Sequence, residues 1–378
     1  MINQKKIVTL KVEKSVPMKN FLLKIASLLY GMVISVRNML FDKEILKGRK
    51  YDIPIVCIGN ITAGGTGKTP TVEFVVSHFS KQYNVAVLSR GYGRDTRGYR
   101  VVDVDDNYRD VGDEPLQIKC KFPNIPVIVC EKRTVGIERL LDEFPDTDMI
   151  IMDDGFQHRW VKPYLNIVMI DSTRPVDKDD FMPIGQLRDS LDSLVRAHIF
   201  IFTKCPTTIS QLDMRLLEAS LNKKPSQTTF FTRPAFLETR AVVGAVPVVL
   251  PMYSNVIAMS GIGNNEAFYS ELKSRYNVVE TLSFKDHHKY CAADAEIIAE
   301  ALERHPDAFI ITTEKDAIKL FSCDEIPVQL RSQMFYECVG MEFVSLPNSD
   351  AEKTEAALRE RLDNEIDKFN DDAYIRGC

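Results

Sequence analysis

The segment Thr62-Ala63-Gly64-Gly65-Thr66-Gly67-Lys68-Thr69 carries the most specific chemistry in the chain. It is nearly the G-x-x-x-x-G-K-[ST] loop, with threonine in place of the first glycine. Three glycines let the backbone curl and aim its N–H groups at phosphate oxygens, at a helix amino terminus whose dipole favours anions. In that setting Lys68 reaches the β- and γ-phosphates, and the Thr69 hydroxyl holds Mg²⁺. An apolar strand pattern precedes the segment and a helical pattern follows it, the context such a loop requires. A nucleoside triphosphate is the expected ligand.

A second acidic site follows. Asp148-Met149-Ile150-Ile151-Met152-Asp153-Asp154 reads as an apolar strand ending in paired carboxylates. In phosphate-loop proteins an aspartate so placed, here Asp153, supports the Mg²⁺ held by the loop threonine. Mg²⁺ takes one or two carboxylates and completes its shell with phosphate oxygens and water, which suits this economy of ligands. A solvated strand end or a helix cap is the alternative reading. Gly155-Phe156-Gln157-His158-Arg159 then gathers amide, imidazole and guanidinium just past the strand.

These groups need a scaffold, and the hydrophobic pattern supplies one. Ile53–Ile58, Val85–Leu88, Val127–Val129, Met149–Met152, Ile167–Ile170, Ile199–Phe202, Val256–Met259 and Phe309–Ile311 look like strands. Most are continuously apolar rather than alternating, the mark of strands covered on both faces by helices. An α/β fold with mainly parallel sheet follows, with ligands beyond the carboxyl ends of its strands. Residues 225–250, punctuated by Pro225, Pro234 and Pro247, lack a helical period and read as a β-rich connection between two lobes. Ser349-Asp350-Ala351-Glu352 is a capping box opening a charged terminal helix through Ile366. The expected units are an amino-terminal helix (1–45), a phosphate-loop core (46–224), the linker (225–250) and a carboxyl-terminal α/β lobe (251–378).

The chain has 378 residues, enough for two domains, and is 45% hydrophobic, which excludes disordered, collagen-like and coiled-coil classes. Its net charge of −5 argues against a general nucleic-acid binder, which carries a basic face. The eight cysteines form no C-x-x-C pair, so they read as reduced cytosolic thiols rather than a zinc knuckle or redox pair. At the amino terminus Lys5, Lys6, Lys11, Lys14 and Lys19 precede a helical stripe of Phe21, Ile25, Leu28, Met32, Val36 and Met39. Its longest uncharged stretch, Ile25–Val36, falls short of the about 20 apolar residues of a spanning helix. Two readings stay open for it: a helix packed on its own core, or one lying in a membrane interface.

Five motifs in order resemble those of the tetraacyldisaccharide 4′-kinase family, the lipid A kinases of Gram-negative envelopes. They are Ile58-Gly59-Asn60-Ile61 running into the phosphate loop and Pro70, Ser89-Arg90-Gly91-Tyr92-Gly93, Gly112-Asp113-Glu114-Pro115, Asp153-Asp154-Gly155-Phe156-Gln157-His158, and Asp286-His287-His288. The resemblance runs from about residue 18 to about residue 320. It implies a phosphate-loop core, a second smaller α/β lobe joined by a β linker, and ATP-dependent phosphorylation of the 4′-hydroxyl of a tetraacyldisaccharide 1-phosphate, with Mg²⁺. It also implies a peripheral enzyme on the cytoplasmic face of the inner membrane, meeting its glycolipid there, and no nucleic-acid partner. By the same resemblance, Asp113 takes the acceptor proton, paired with His287, while Lys68 neutralises charge. Asn60, Arg90, Tyr92, Arg133, Asp154, Gln157, His158 and Arg188 are carried over as substrate-facing residues. The family commonly has Arg-Glu-Pro where this chain has Arg188-Asp189-Ser190, so Asp189 is left out of the catalytic set.

Two readings compete with a kinase. Thr203-Lys204-Cys205-Pro206 and Thr313-Glu314-Lys315-Asp316 loosely match a guanine-reading N-K-x-D segment, as in a phosphate-loop GTPase or metallochaperone switch, although neither has the asparagine. A phosphoesterase would instead gather metals at Asp153, Asp154, Asp286, His287 and His288, leaving the phosphate loop without a role.

Overall fold

The computed structural model describes residues 16–263, 265–286, 288–344 and 350–377. His287, Ser349 and the lysines before residue 16 therefore lie outside the described residues. In the first half, strands β1 (Ile55–Asn60), β2 (Val85–Ser89), β3 (Arg100–Val101), β4 (Val127–Val129), β5 (Met149–Asp153), β6 (Leu165–Asp171) and β7 (Ile199–Thr203) alternate with helices. Those helices are α1 (Val16–Asp42), α2 (Lys68–Phe79), α3 (Tyr108–Val111), α4 (Asp113–Lys121), α5 (Arg133–Glu143) and α6 (Gln211–Ala219). In the second half come β8 (Thr228–Ala241), β9 (Pro247–Val248), β10 (Asn255–Ser260), α7 (Glu266–Arg275), β11 (Asn277–Ser283) and α8 (Ala292–Arg304). They are followed by β12 (Phe309–Thr313), α9 (Glu314–Phe321), α10 (Val328–Arg331), β13 (Met334–Phe343) and α11 (Ala351–Gly377).

The strands join in one sheet, ordered β11-β10-β12-β13-β8-β7-β6-β1-β5-β2-β4-β3, with β9 paired to β8. Every residue of β1, β2, β5, β6 and β7 is buried, as their unbroken apolar runs require when helices cover both faces. The segment read as a linker contributes the 14-residue β8. Its first part pairs parallel to β7, and Thr232–Ala241 pairs antiparallel to β13. Because β12 and β10 run parallel to β13, the parallel strands of the second half point opposite to those of the first. Their carboxyl ends therefore face each other: β13 runs down until the Val344 N–H donates to Phe231 O at 2.9 Å. This inversion creates the cleft.

Two elements depart from the sequence reading. The terminal helix, assigned by sequence to the second lobe, crosses back to the first: Leu358, Leu362 and Ile366 bury in one cluster with Val72, Val75 and Phe79. The capping box and charge pattern announce α11 but do not say which core it packs on. In α1, the side that meets the protein is Ser27, Gly31, Ile34, Asn38 and Phe41, while the apolar stripe points outward. Leu28 is 72% exposed, and Phe21, Leu22, Met32 and Val33 are also exposed. Gly31 permits this docking, since a Cβ there would stand 2.6 Å from the Phe181 ring. The core-helix reading fails for that stripe. Residues Asn20–Asp42 are also long and apolar enough to cross a membrane by length and composition, with Lys24 and Arg37 inside the run.

Candidate active site

The phosphate loop leaves β1 at Asn60 and enters α2 at Lys68. Gly67 holds φ 75°, a left-handed turn that costs glycine little, and so points the first N–H groups of α2 into the loop. No side chain caps that helix end, which leaves its amides for an anion. Around the loop, Asn60 Nδ2 donates to Thr66 Oγ1 at 2.8 Å, and Thr203 Oγ1 donates to Thr66 O at 3.0 Å. The Ala63 N–H donates to Gln186 O at 2.7 Å. Thr62, Ala63, Gly64, Gly65, Thr66, Gly67, Lys68 and Thr69 thus form one braced turn over the carboxyl ends of β1 and β7.

The paired carboxylates after β5 sit beside this turn in different environments. Lys68 Nζ lies 3.5 Å from Asp154 Oδ1. Arg188 reaches both oxygens of the same carboxylate, at 3.0 and 3.3 Å, and also donates to Asn60 Oδ1. Burial alone would raise the Asp154 carboxyl, but Lys68 and Arg188 outweigh it and hold it below the usual range. Asp153 is deeper and accepts the Ser89 hydroxyl at 2.9 Å. Burial, with Glu114 and Asp154 adding to it, pushes its carboxyl up to about 7. No group of three or more His, Cys, Asp or Glu side chains among the described residues could hold a metal unaided. The set suits Mg²⁺ nonetheless: a hydroxyl at Thr69 and one buried carboxylate, with phosphates to complete the shell.

A basic basin adjoins the pair. Arg133 is 2% exposed, and its guanidinium donates to Cys130 O at 2.8 Å and Asp153 O at 3.2 Å, leaving Nε buried without a partner among the described residues. His158 is held down to about 4 by burial and by Arg133, Arg90 and Arg37, so its ring is neutral at neutral pH. Its Nε2 is likewise buried with no partner among the described residues. Arg90 and Tyr92 are exposed at the rim. Gln157 donates from its side chain to Asn60 O. Asn60 itself is fully buried, with its side chain spent on Thr66 and Arg188, and it acts as a brace rather than an open contact.

The second half supplies groups that sequence reading missed. Lys315, at the start of α9, lies 3.6 Å from Asp113 Oδ2 and 3.4 Å from Glu114 Oε1. Asp113 Oδ1 accepts the Glu114 N–H at 2.9 Å, so this carboxylate caps the start of α4. Glu314 takes Lys121, at the other end of α4, at 2.7 Å, and Lys121 also pairs with Glu73 of α2. The only sequence signal for these residues is the Thr313-Glu314-Lys315-Asp316 segment, which by pattern alone is a loose base-reading motif. Its geometry excludes that reading: Thr313 and Asp316 cap α9 between themselves, at 2.7 and 3.2 Å. The other such segment is likewise spoken for, Thr203 on the phosphate loop and Lys204 on Asp171 at 2.7 Å. His288 pairs with Asp294 at 2.8 Å and stacks on Phe284, away from any metal cluster of the phosphoesterase kind.

Asp189 has a structural task. It is fully buried and accepts from Asn38 of α1 at 2.6 Å, from the Ser190 N–H at 2.9 Å and from Arg196 at 3.1 Å. Tyr30 of α1 donates to the carbonyl of the preceding residue, Arg188, at 3.2 Å. The outward-facing helix is thereby pinned one residue from the phosphate-loop arginine.

Known proteins share this arrangement. The sequence pattern of the tetraacyldisaccharide-1-P 4′-kinase family matches residues 19–363. A tetraacyldisaccharide 4′-kinase of Phocaeicola vulgatus is 39% identical over 302 residues, covering 78% of this chain and 82% of that protein. The enzyme of the same name from Bacteroides thetaiotaomicron is 34% identical over 366 residues, covering 93% and 92%. Among solved structures, LpxK from Aquifex aeolicus in complex with ATP superposes with a TM-score of 0.70 at 27% identity, over 92% of this chain and 98% of that one. A phosphate loop facing a second lobe, with relatives matched along nearly their whole length, places this chain in the tetraacyldisaccharide 4′-kinase family.

Proposed function

We propose that the protein transfers the γ-phosphate of ATP to the 4′-hydroxyl of a tetraacyldisaccharide 1-phosphate, a step of lipid A biosynthesis. The observations that carry this reading are a phosphate loop with Lys68 beside Asp154, and a first-half carboxylate, Asp113, met by Lys315 of the second half. A kinase needs an acceptor aligned with the terminal phosphate, in a place that water does not share. A switch GTPase needs only the first of these, and neither base-reading segment is available for it.

In this reading the loop amides and Lys68 neutralise charge on the phosphates, and Lys68 exchanges its hold on Asp154 for the nucleotide. Asp113 takes the proton of the 4′-hydroxyl as the phosphoryl group moves, with His287, outside the described residues, as its expected partner. Thr69 and Asp153 would hold Mg²⁺, which when bound offsets the charge on the transferring group. Arg188 and Asp154 flank the transfer position. Gln157 orients the loop from the Asn60 carbonyl. Arg90, Arg133 and the neutral His158 form the basin that receives the substrate's sugar and its other phosphate, with Tyr92 at the rim.

The acyl chains fit the same geometry. α1 turns its apolar stripe outward, and Phe41 near its carboxyl end meets Trp160, from the turn after β5, edge to face at 5.1 Å, with Trp160 48% exposed. Aromatic rings at the end of an apolar helix favour the headgroup level of a bilayer. One side of α1 is committed to the protein through Ser27, Tyr30 and Asn38, which supports a helix lying in one leaflet over one crossing it alone. The reading places the enzyme peripherally on the cytoplasmic face of the inner membrane, where ATP is at hand.

The test is direct. Purified protein with labelled ATP, Mg²⁺ and a tetraacyldisaccharide 1-phosphate in detergent micelles is expected to yield a 4′-phosphorylated lipid. ATP hydrolysis without labelled lipid, or a strict demand for GTP, would refute the assignment.

A further inference from the structure

We propose that Lys315 is a positioning residue for the transfer, holding the Asp113 carboxylate aimed across the cleft. This rests on the reading of Asp113 as the acceptor's proton-taking group. Lys315 begins α9 in the second half, whereas Asp113 begins α4 in the first, so the pair bridges the two lobes at the reaction level.

Three observations set Lys315 apart from an ordinary surface ion pair. First, its placement is not needed to anchor its own helix. α9 is already capped by Thr313 and Asp316 and buried through Ala317, Ile318 and Leu320, and Glu314 separately ties it to Lys121. Second, the ammonium faces several carboxylates at once. It lies 3.6 Å from Asp113 and 3.4 Å from Glu114, and burial, which alone would lower its pKa, is outweighed by Glu114, Asp113 and Asp286. The lysine is therefore firmly cationic in a half-buried site where an exposed pair would contribute little.

Third, three other cations of the cleft are engaged elsewhere. Lys68 and Arg188 both lie on Asp154, and Arg133 donates to backbone carbonyls. The site also collects acid: Asp113, Glu114 and Asp286 all act on the Lys315 ammonium. A carboxylate meant to accept a proton late in the reaction must stay ionised and unturned until the acceptor arrives. In a crowd of like charges that needs a fixed cation on its outer oxygen, since an opposite charge within a few ångström favours the ionised form. The Glu114 N–H donates to Asp113 Oδ1 and the Lys315 ammonium lies beside Oδ2, so contacts on both oxygens help set the carboxylate plane.

The experiment compares Lys315→Met, Lys315→Arg, Asp113→Asn and the double variant Lys315→Met/Asp113→Asn. Full-length protein is assayed on the tetraacyldisaccharide 1-phosphate in micelles, with ATP binding by calorimetry as the check on folding. Lys315→Met is expected to lower kcat about 100-fold, within the range of general-base effects, with the ATP KM changed less than about threefold. Lys315→Arg is expected to recover at least about tenfold of that loss, because it keeps the charge. The double variant is expected to be no slower than Asp113→Asn alone, since a residue acting only through Asp113 has nothing left to position. A kcat for Lys315→Met within threefold of the parent overturns the proposal, as does a double variant slowed by the product of the single effects. If Lys315→Met loses ATP binding, Lys315→Arg decides: an arginine variant that binds ATP normally yet turns over no faster than Lys315→Met overturns the proposal. Asp113→Asn with near-parental turnover sinks the proton-acceptor reading itself, a result distinct from any failure of Lys315.

Discussion

Gly65 and Gly67 stand two residues apart in the phosphate loop but should respond oppositely to a methyl group. Gly67 has φ 75°, and a Cβ there would lie 3.3 Å from Thr203 Cγ2, whereas a Cβ on Gly65 meets nothing within 4 Å. An L-residue in the left-handed region loses about 1–2 kcal/mol. Alanine regains about 0.4–1 kcal/mol by restricting the unfolded chain. The net for Gly67→Ala is thus a loss of roughly 1 kcal/mol, before any push on Thr203, which braces the loop through Thr66 O. The loop must also shift to relieve the strain. Misaiming a single N–H bond to a charged phosphate is worth about 1.5–3 kcal/mol, or roughly 10–100-fold in the Kd for ATP. Gly65→Ala should leave unfolding within about 0.5 kcal/mol of the parent. Urea unfolding reads the first effect and calorimetric ATP titration the second. Unaltered stability and ATP affinity in Gly67→Ala, or a larger stability loss in Gly65→Ala, would refute this account of the loop.

Two further outcomes follow from the same structure. The His158 ring has a folded value of about 4 against 6.5 when unfolded, so between these pH values the unfolded chain binds more protons. Its contribution is present above about pH 6.5 and is lost as the pH falls toward 4; His158→Gln should flatten the decline of Tm in that window, and an identical decline in both proteins would show the ring is not the cause. On α1, replacing the exposed Leu28, Met32 and Val36 by serine removes about 1.5–3 kcal/mol of membrane burial per side chain. Sedimentation with anionic vesicles should fall by at least about 100-fold in partition, while thermal unfolding in detergent stays as it was; undiminished vesicle binding would rule out the outward stripe as the membrane contact.

Much of the molecule could be read from local pattern. The strands β1, β2, β4, β5, β6, β7, β10 and β12 follow from unbroken apolar runs, because a strand covered on both faces leaves no room for polar side chains. The phosphate loop follows from glycines whose spacing has few other uses. Strands β11 and β13 were not legible: β11 is mostly half-exposed, and β13 carries the buried Glu337 among its apolar residues. That glutamate is tolerated only because Thr239 donates to it at 2.8 Å and Arg275 reaches it at 2.8 Å, partners supplied by distant segments.

The cleft belongs to another level. Local chemistry named Lys68, Asp153 and, through resemblance, Asp113, since each sits at a strand end or helix start that spacing alone reveals. What the second half adds to them depends on β8 pairing parallel with β7 and antiparallel with β13, which turns that half over and brings Lys315 to Asp113. No local pattern encodes that inversion, because hydrogen bonds between strands are indifferent to sequence separation. The same holds for α1 and α11: periodicity supplied the apolar stripe of the first and a capping box the start of the second, but only packing chose the solvent side for one and the first core for the other.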